Sequence, residues 1–313
     1  MPGTSSPRFP PALVIPLGIL AVSTASILIR YAQAEASSLA IAAFRLGLSV
    51  IFLSPYVICK HREELRGLTG PDLRLALFSG LLLAVHFASW ISSLEYTSVA
   101  SSVVLVTTTP LWVAVMGPLF LGEKVSRQAL GGMGLALIGG VVVALSDGCQ
   151  GSLFQFSCPS SGGMAGSQAL LGDGLALLGA LTAAGYMMVG RHLRQKLSLA
   201  SYIFLVYLMA AACLFLVLLL REGIPTGYSP VIYLWLILLA LVPQLMGHTI
   251  LNWALRYLPA ALVSLSLLGE PIGSTVLAAL FLGERPSALK IFGAILILLG
   301  IAAASGKTEV GRK

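Results

Sequence analysis

Ten apolar runs separated by short polar breaks constrain this chain more than any other feature. They cover 11–30, 39–59, 73–94, 99–120, 127–146, 170–190, 199–220, 230–251, 259–282 and 288–305. Each is close to the ~20 residues a helix needs to cross a bilayer core of ~30 Å. Lipid offers the backbone no hydrogen-bond partner, so runs of this length are predicted to be helices. Most connections are as short as Glu95-Tyr96-Thr97-Ser98 or Gly122-Glu123-Lys124. The expected fold is an all-α integral membrane protein with ten transmembrane helices. Composition closes off other classes. Charged residues make up 10% of the chain and hydrophobic residues 57%, against about 25% charged in an ordinary soluble domain. That excludes a soluble enzyme, a nucleic-acid-binding protein, a coiled coil and a disordered chain. Ten crossings leave no length for a separate soluble domain. Arg8 is the only basic residue before the first run, which is long enough to stay in the membrane instead of being cleaved as a leader.

The net charge of +7 lies in the loops. With a cytoplasmic N-terminus, 14 cations face inwards: Arg8, Lys60, Arg62, Arg66, Arg74, Lys124, Arg127, Arg191, Arg194, Lys196, Arg256, Lys307, Arg312 and Lys313. Only 4 face outwards, Arg30, Arg221, Arg285 and Lys290, while Arg45 falls inside a span. The bias predicts a multi-pass protein of the plasma (inner) membrane with both termini cytoplasmic. The long connection from Ser146 to Ala169 is then external. It lacks Lys and Arg and is rich in Ser and Gly, so it reads as a linker. Cys149 and Cys158 lie in it, and both a disulfide and two free thiols fit. Cys59 and Cys213 fall in apolar runs as packing residues.

The two halves match each other. At an offset of 161, Leu94, Tyr96, Ala100, Pro110, Leu119, Phe120, Leu121, Gly122, Glu123 and Ser126 meet Leu255, Tyr257, Ala261, Pro271, Leu280, Phe281, Leu282, Gly283, Glu284 and Ser287. Gly132 and Gly139 likewise meet Gly293 and Gly300, and at an offset of 160 Ser38, Leu39, Ala40 and Phe44 meet Ser198, Leu199, Ala200 and Phe204. Five spans per half is an odd number, so the second half must run in the opposite direction. Two inverted bundles can expose one central site to either side in turn, which is the signature of a transporter. The expected units are 1–148 and 170–313, each a five-helix repeat, joined by the linker 149–169.

The stretch from Trp90 to Glu123, WISSLEYTSVASSVVLVTTTPLWVAVMGPLFLGE, and its partner from His248, HTILNWALRYLPAALVSLSLLGEPIGSTVLAALFLGER, resemble the hallmark of EamA-type drug/metabolite transporters. The resemblance spans essentially the whole chain. It implies two inverted five-helix repeats around a central cavity and the movement of a small solute, often outward, without ATP hydrolysis. Such families handle amino acids, nucleobases, sugars or drugs.

Only Arg45 and Glu270 place a charge well inside a run. An intramembrane charge costs at least ~2.5 kcal/mol, so each is a functional candidate. Glu270 directly precedes Pro271, which cannot donate to the carbonyl of Leu267 and should bend the helix. In the other half Thr109-Pro110 occupies the same place, so the carboxylate is an asymmetric addition. Two readings stand for Glu270: proton carrier or solute contact, and a permanently protonated side chain bonded to a neighbouring helix. Arg45, two turns into its span, has a stem long enough to snorkel and reads as structural or gating. His86 and Trp90 share a face, and Gln244, His248 and Asn252 form a polar stripe beside Trp253. His86, Trp90, Gln244 and His248 are cavity candidates. Asn252 and Trp253 read as an interhelical bond and an interfacial ring. Glu123 and Glu284 end helices and are expected to place the next helix N-terminus. The four glycines should permit close helix approach.

Gly300 to Thr308 imitates a phosphate-binding loop but has one residue too many between its glycines and ends a helix, so no ATP site is expected. No catalytic motif and no metal-ligand cluster stand out, and no cofactor is expected. The partners are a small solute and the lipid bilayer, with a homodimer as an option and nucleic acid excluded. The reading is a secondary transporter working by alternating access, an exporter with proton coupling as an option. A membrane-embedded enzyme using Glu270 with His86 or His248, and a passive channel, are the rivals.

Overall fold

The computed structural model describes residues 7, 9–120, 126–148, 150–152, 155–157, 164–223, 226–284 and 286–305. Among them eight helices are long and apolar enough to cross a membrane. The first four are α1 (Pro11–Ala32), α2 (Ser38–Lys60), α3 (Gly70–Tyr96) and α4 (Val99–Gly117). The others are α6 (Ser167–Leu193), α7 (Leu199–Arg221), α8 (Pro230–Ala254) and α9 (Ala260–Phe281). Two more helices, α5 (Arg127–Gly148) and α10 (Ala288–Ser305), contain the shorter apolar stretches Leu130–Val142 and Ile291–Gly300. Part of the stretch expected to be an unstructured linker forms an antiparallel ribbon of β1 (Gln150–Ser152) and β2 (Gln155–Ser157), with Gln150 opposite Ser157. The described fold is therefore helical except for this ribbon. Cys149 and Cys158 lie outside the described residues.

Hydroxyl side chains start several helices. Ser37 accepts from the Ala40 N–H, Thr69 from Asp72, Ser98 from Ser101 and Ser198 from Ser201. Each satisfies a backbone donor left over in the first turn. These caps put the repeat in a single register. Helical segments starting at Ser38, Val99, Thr109 and Arg127 recur at Leu199, Ala260, Glu270 and Ala288, each 161 residues on. The match of Ser38 with Ser198 at 160 is thus one residue out, because the capping serines are Ser37 and Ser198.

The contacts between helices come in reciprocal pairs. α1 packs on α8 and α9 as α6 packs on α3 and α4; α2 meets α8 as α7 meets α3. The equivalent helices α2 and α7 meet each other, as do α5 and α10. This is the pattern a two-fold relation between the halves produces. At the α5–α10 crossing a Cβ on Gly139 would lie 2.6 Å from the Gly293 carbonyl, and one on Gly300 2.5 Å from the Gly132 carbonyl. As one helix advances the other retreats, so these equivalent helices are antiparallel. Their glycines let the backbones touch, as expected where lipid removes the hydrophobic drive for helix association.

The two ends of the bundle are tied by matching contacts. At one end Arg30 donates to the Thr97 carbonyl and Gln33 to the Ile91 carbonyl. At the other, Arg191 donates to the Leu255 and Arg256 carbonyls and Arg194 to the Asn252 carbonyl. Arg191 and Arg194 lie 161 residues beyond Arg30 and Gln33, and Asn252 lies 161 beyond Ile91. Ties between the halves follow the same rule. Ser37 donates to Glu222 and Ser229 to Glu35 at the first end; Ser198 and Ser201 donate to Glu64, and Lys196 to Asp72, at the second.

Candidate functional site

Four helices depart from regular geometry, and residues at or beside all four breaks line one space. α4 is interrupted at Thr107-Thr108. α9 is interrupted by a 3-10 turn over Leu267–Gly269. α8 passes through a π-helix over Ala240–His248, around Pro243, and α1 is interrupted at Thr24. π-helical turns re-aim side chains and concentrate at functional sites. Before Pro271 the helix passes through this 3-10 turn, and the Leu267 carbonyl is not left open. The Glu270 N–H reaches it across the 3-10 turn. In the other half Pro110 leaves the Val106 carbonyl without its helical donor, and the Thr109 hydroxyl replaces it at 2.9 Å.

Between the halves lies a cavity of about 50 Å³, room for a few water molecules. The first half contributes Val22 and Ala25 of α1, Leu83, His86 and Trp90 of α3, and Val106, Thr107 and Thr109 of α4. The second contributes Ala183, Tyr186 and Met187 of α6, His248, Leu251 and Asn252 of α8, and Leu267 and Glu270 of α9. Each lining helix has its repeat counterpart opposite. The wall is apolar with a few fixed polar groups. His86 donates from Nδ1 to the Gly179 carbonyl at 2.9 Å, since a carbonyl can only accept, and its ring lies within 13° of parallel to Trp90. Tyr186 donates to Asn252 Oδ1 at 2.7 Å, and Asn252 donates to the His248 carbonyl. The His248 ring meets Phe87 edge-on at 5.4 Å.

Glu270 is 7% exposed and its side chain lines the cavity. Neither a hydrogen bond nor an ion pair of its carboxylate is found among the described residues. Arg45 and Gln244 stand behind the wall instead of in it. Arg45 is fully buried, donates from Nε to Gln244 Oε1 at 2.7 Å, and holds its guanidinium 4.2 Å from the Phe87 ring centre and 5.8 Å from that of Trp90. Rings stabilise a cation that has no carboxylate partner. Snorkelling is therefore not what Arg45 does; its head points into the bundle.

Of the other sequence candidates, Asn252 does both things open to it, bonding Tyr186 and lining the cavity, whereas Trp253 lies outside it with its ring tilted 57° to that of Tyr257. Glu123 lies outside the described residues. Glu284 approaches Arg30 of α1 at 4.0 Å, an ion pair across the halves, so it is turned towards α1 as well as standing before α10. Tyr186, Thr107 and Thr109 were not among the candidates. The run Thr107-Thr108-Thr109 before Pro110 was the available signal, while Tyr186 carried none. No group of three His, Cys, Asp or Glu side chains able to hold a metal occurs among the described residues.

The EamA-like transporter family matches residues 10–145 and 170–306. The riboflavin transporter ImpX of Fusobacterium nucleatum subsp. nucleatum is 26% identical over 232 residues, covering 72% of this chain and 73% of its own. A protein of known crystal structure, 19% identical, superposes with a TM-score of 0.70 over 94% of this chain and 96% of its own, a likeness of fold. The paired broken helices, the cavity between the halves and the match across both of them place this multi-pass membrane protein in one family: the chain belongs to the EamA-like transporters.

Proposed function

We propose that the protein is a secondary transporter that exports a small solute by alternating access, with Glu270 carrying a proton in exchange. The proposed frame is ten transmembrane helices in two inverted five-helix repeats, 1–148 and 170–313, joined by the external linker 149–169. Both termini face the cytoplasm and the protein sits in the plasma (inner) membrane. The observation that carries the reading is a cavity walled by three helices of each half and tied shut at both ends of the bundle by equivalent contacts. Loosening one set of ties while keeping the other would open the same cavity to one side at a time. The antiparallel meeting of α5 and α10 supports the inversion. His86, Trp90, His248 and Asn252 form the solute-facing wall, and Pro110 and Pro271 mark the breaks about which the halves rearrange. Arg45 and Gln244 hold that wall from behind.

Proteoliposomes containing the purified protein test this. Riboflavin, the solute in the name of the Fusobacterium relative, joins amino acids, nucleobases, sugars and cationic drugs in the panel. Saturable flux of one solute, stimulated by the same solute on the far side and driven by a pH gradient, is expected. Glu270→Gln should abolish the response to the gradient. Flux that never saturates would indicate a channel, and chemical conversion in detergent an enzyme; gradient-driven flux unchanged in Glu270→Gln would end the proton-carrier role.

A further inference from the structure

We propose that the rearrangement runs through one of two equivalent helix pairs. α1 and α8 move as a wall, α3 and α6 form the fixed frame, and Arg45 with Ser49 is the latch that holds the π-helical turn of α8. The proposal rests on the transport reading above and assigns the movement which that reading leaves shared between the halves.

The two pairs are counterparts in the repeat, α1 packing on α8 as α6 packs on α3. Their backbones differ. α3 and α6 each run as one unbroken α-helix. α1 is interrupted at Thr24, and α8 opens into the 9-residue π-helix Ala240–His248. Pro16 and Pro243 account for part of this, since each denies its helix interior a donor, whereas their counterparts at 161 are Leu177 and Leu82. A π-turn holds more residues than an α-turn. Returning one residue of it to the α ladder would turn the helix beyond by about 100° and shift it by ~1.5 Å. The residues so moved include Leu251 and Asn252 of the cavity wall.

Two bonds from α2 hold that turn. Arg45 donates from Nε to Gln244 Oε1 at 2.7 Å, and the Ser49 hydroxyl donates to the Ala240 carbonyl at 3.2 Å while also meeting the Arg45 carbonyl. The counterparts of Arg45 and Ser49 on α7 are Val206 and Ala210, which have no side-chain donor. There a Cβ on Gly80 of α3 would lie 2.8 Å from the Val206 carbonyl, so α7 and α3 close through backbone contact instead. Polar satisfaction divides the same way. The Ser26 hydroxyl of α1, with the Gln244 amide nitrogen and the Thr249 hydroxyl of α8, is buried without a hydrogen-bond partner among the described residues. On the other pair Ser89, Ser93 and Thr182 bond carbonyls and His86 bonds Gly179 across the seam, although the Trp90 indole N–H is left over. A buried donor without a partner weakens the arrangement that leaves it so. α1 and α8 are therefore held less tightly than α3 and α6, as a moving element must be.

Amide hydrogen exchange and a pair of cross-links test this in the full-length protein. In detergent, exchange over 240–254 of α8 should be at least about tenfold faster than over the counterpart stretch 79–93 of α3. Ser49→Ala should speed exchange over 240–248 by about a further fivefold and leave 79–87 unchanged, and Ser49→Thr, which keeps the hydroxyl, should restore the wild-type rate. For the cross-links the four native cysteines are replaced. Gly18→Cys with Ile250→Cys joins α1 to α8, and Gly185→Cys with Leu82→Cys joins α6 to α3; a Cβ on each glycine would lie 2.8 and 3.0 Å from the partner side chain. Linking the first pair should abolish vesicle flux of the panel solute that crosses, with recovery on reduction. Linking the second should leave that flux within about twofold of the unlinked protein. Equal exchange in the two stretches, no response to Ser49→Ala, or flux that stops with both links, with neither or with the second alone overturns the proposal while the transporter stands. If the unlinked protein moves no solute, the transport reading fails, and the exchange contrast alone decides which pair is loose.

Discussion

The two ends of the bundle solve one problem with different residues. At each, a side chain from the end of α1 or α6 reaches the last carbonyls of α3 or α8, and a serine capping α2 or α7 meets an acid from the other half. The positions correspond at 161, but their chemistry does not. Gln33 faces the Ile91 carbonyl where Arg194 faces Asn252, and Glu35 stands where the other end has Lys196. Glu222 corresponds to His61, and each touches the capping serine of the opposite half. The backbone's demand for partners sets the geometry, and the charge that meets it is free to vary. The cations gather at the end proposed as cytoplasmic, so the same arginines that report orientation also cap a helix C-terminus, where positive charge is favoured.

Locking one end at a time tests whether both are gates, and it should give the largest effect. In a background without the four native cysteines, Ser37→Cys with Glu222→Cys, joined by a short thiol-reactive cross-linker, ties the first end. Lys196→Cys with Asp72→Cys ties the second. Each link alone should abolish flux in vesicles, and reduction of a cleavable linker should restore it. A link that leaves flux intact would show that its end does not open during transport.

The glycine crossing between α5 and α10 should give the next effect, on stability. A Cβ at Gly139 would sit 2.6 Å from the Gly293 carbonyl, whereas Gly131 and Gly134 on the same helix have nothing within 4 Å. Gly139→Ala should therefore cost about 1–3 kcal/mol, the usual range for overpacking, and lower the melting temperature in detergent. Gly134→Ala should be neutral or slightly stabilising, because it only removes helix-interior freedom. Equal effects at both sites would mean that α5 and α10 do not touch through Gly139.

How much of this was legible in the sequence differs from element to element. The apolar runs were, because a membrane helix must carry its hydropathy in a contiguous stretch, and the repeat was, because Leu-Phe-Leu-Gly-Glu recurs intact. The register of α2 and α7 was one residue out, since two adjacent serines at 37 and 38 left the capping one undecided. In the site, Glu270, His86, Trp90 and His248 stood out as polar groups in apolar surroundings. Thr107 and Thr109 did not, because a hydroxyl that bonds its own helix barely lowers hydropathy. The Arg45–Gln244 bond was beyond reach, as it joins residues 199 apart through the turn of a π-helix that no spacing rule signals. Nor was the ribbon at β1 and β2, in a stretch whose Ser and Gly content reads as a linker.

The smallest expected effect concerns the acids that tie each end. Glu64 accepts from the Ser198 N–H and from the Ser198 and Ser201 hydroxyls, each at 2.6 Å, beside His61. Partial burial opposes its ionisation, but the hydrogen bonds from Ser198, Ser201 and His61 outweigh it and hold the carboxyl at about 2. With an unfolded value near ~4.3, the stabilisation is fully present above that pH and is lost as pH falls towards about 2. The side chain is 28% exposed, so screening reduces its worth to about 1 kcal/mol. Glu64→Gln should lower the melting temperature at pH 7, and the gap from wild type should narrow steadily between about pH 4.5 and 2. At the opposite end Glu35 is also held below its ordinary value by the Ser229 hydroxyl and N–H. It is open to solvent, so Glu35→Gln should change the melting temperature less than Glu64→Gln. A pH-independent gap for Glu64→Gln, or a larger one for Glu35→Gln, would mean that these carboxylates do not hold the ends through their charge.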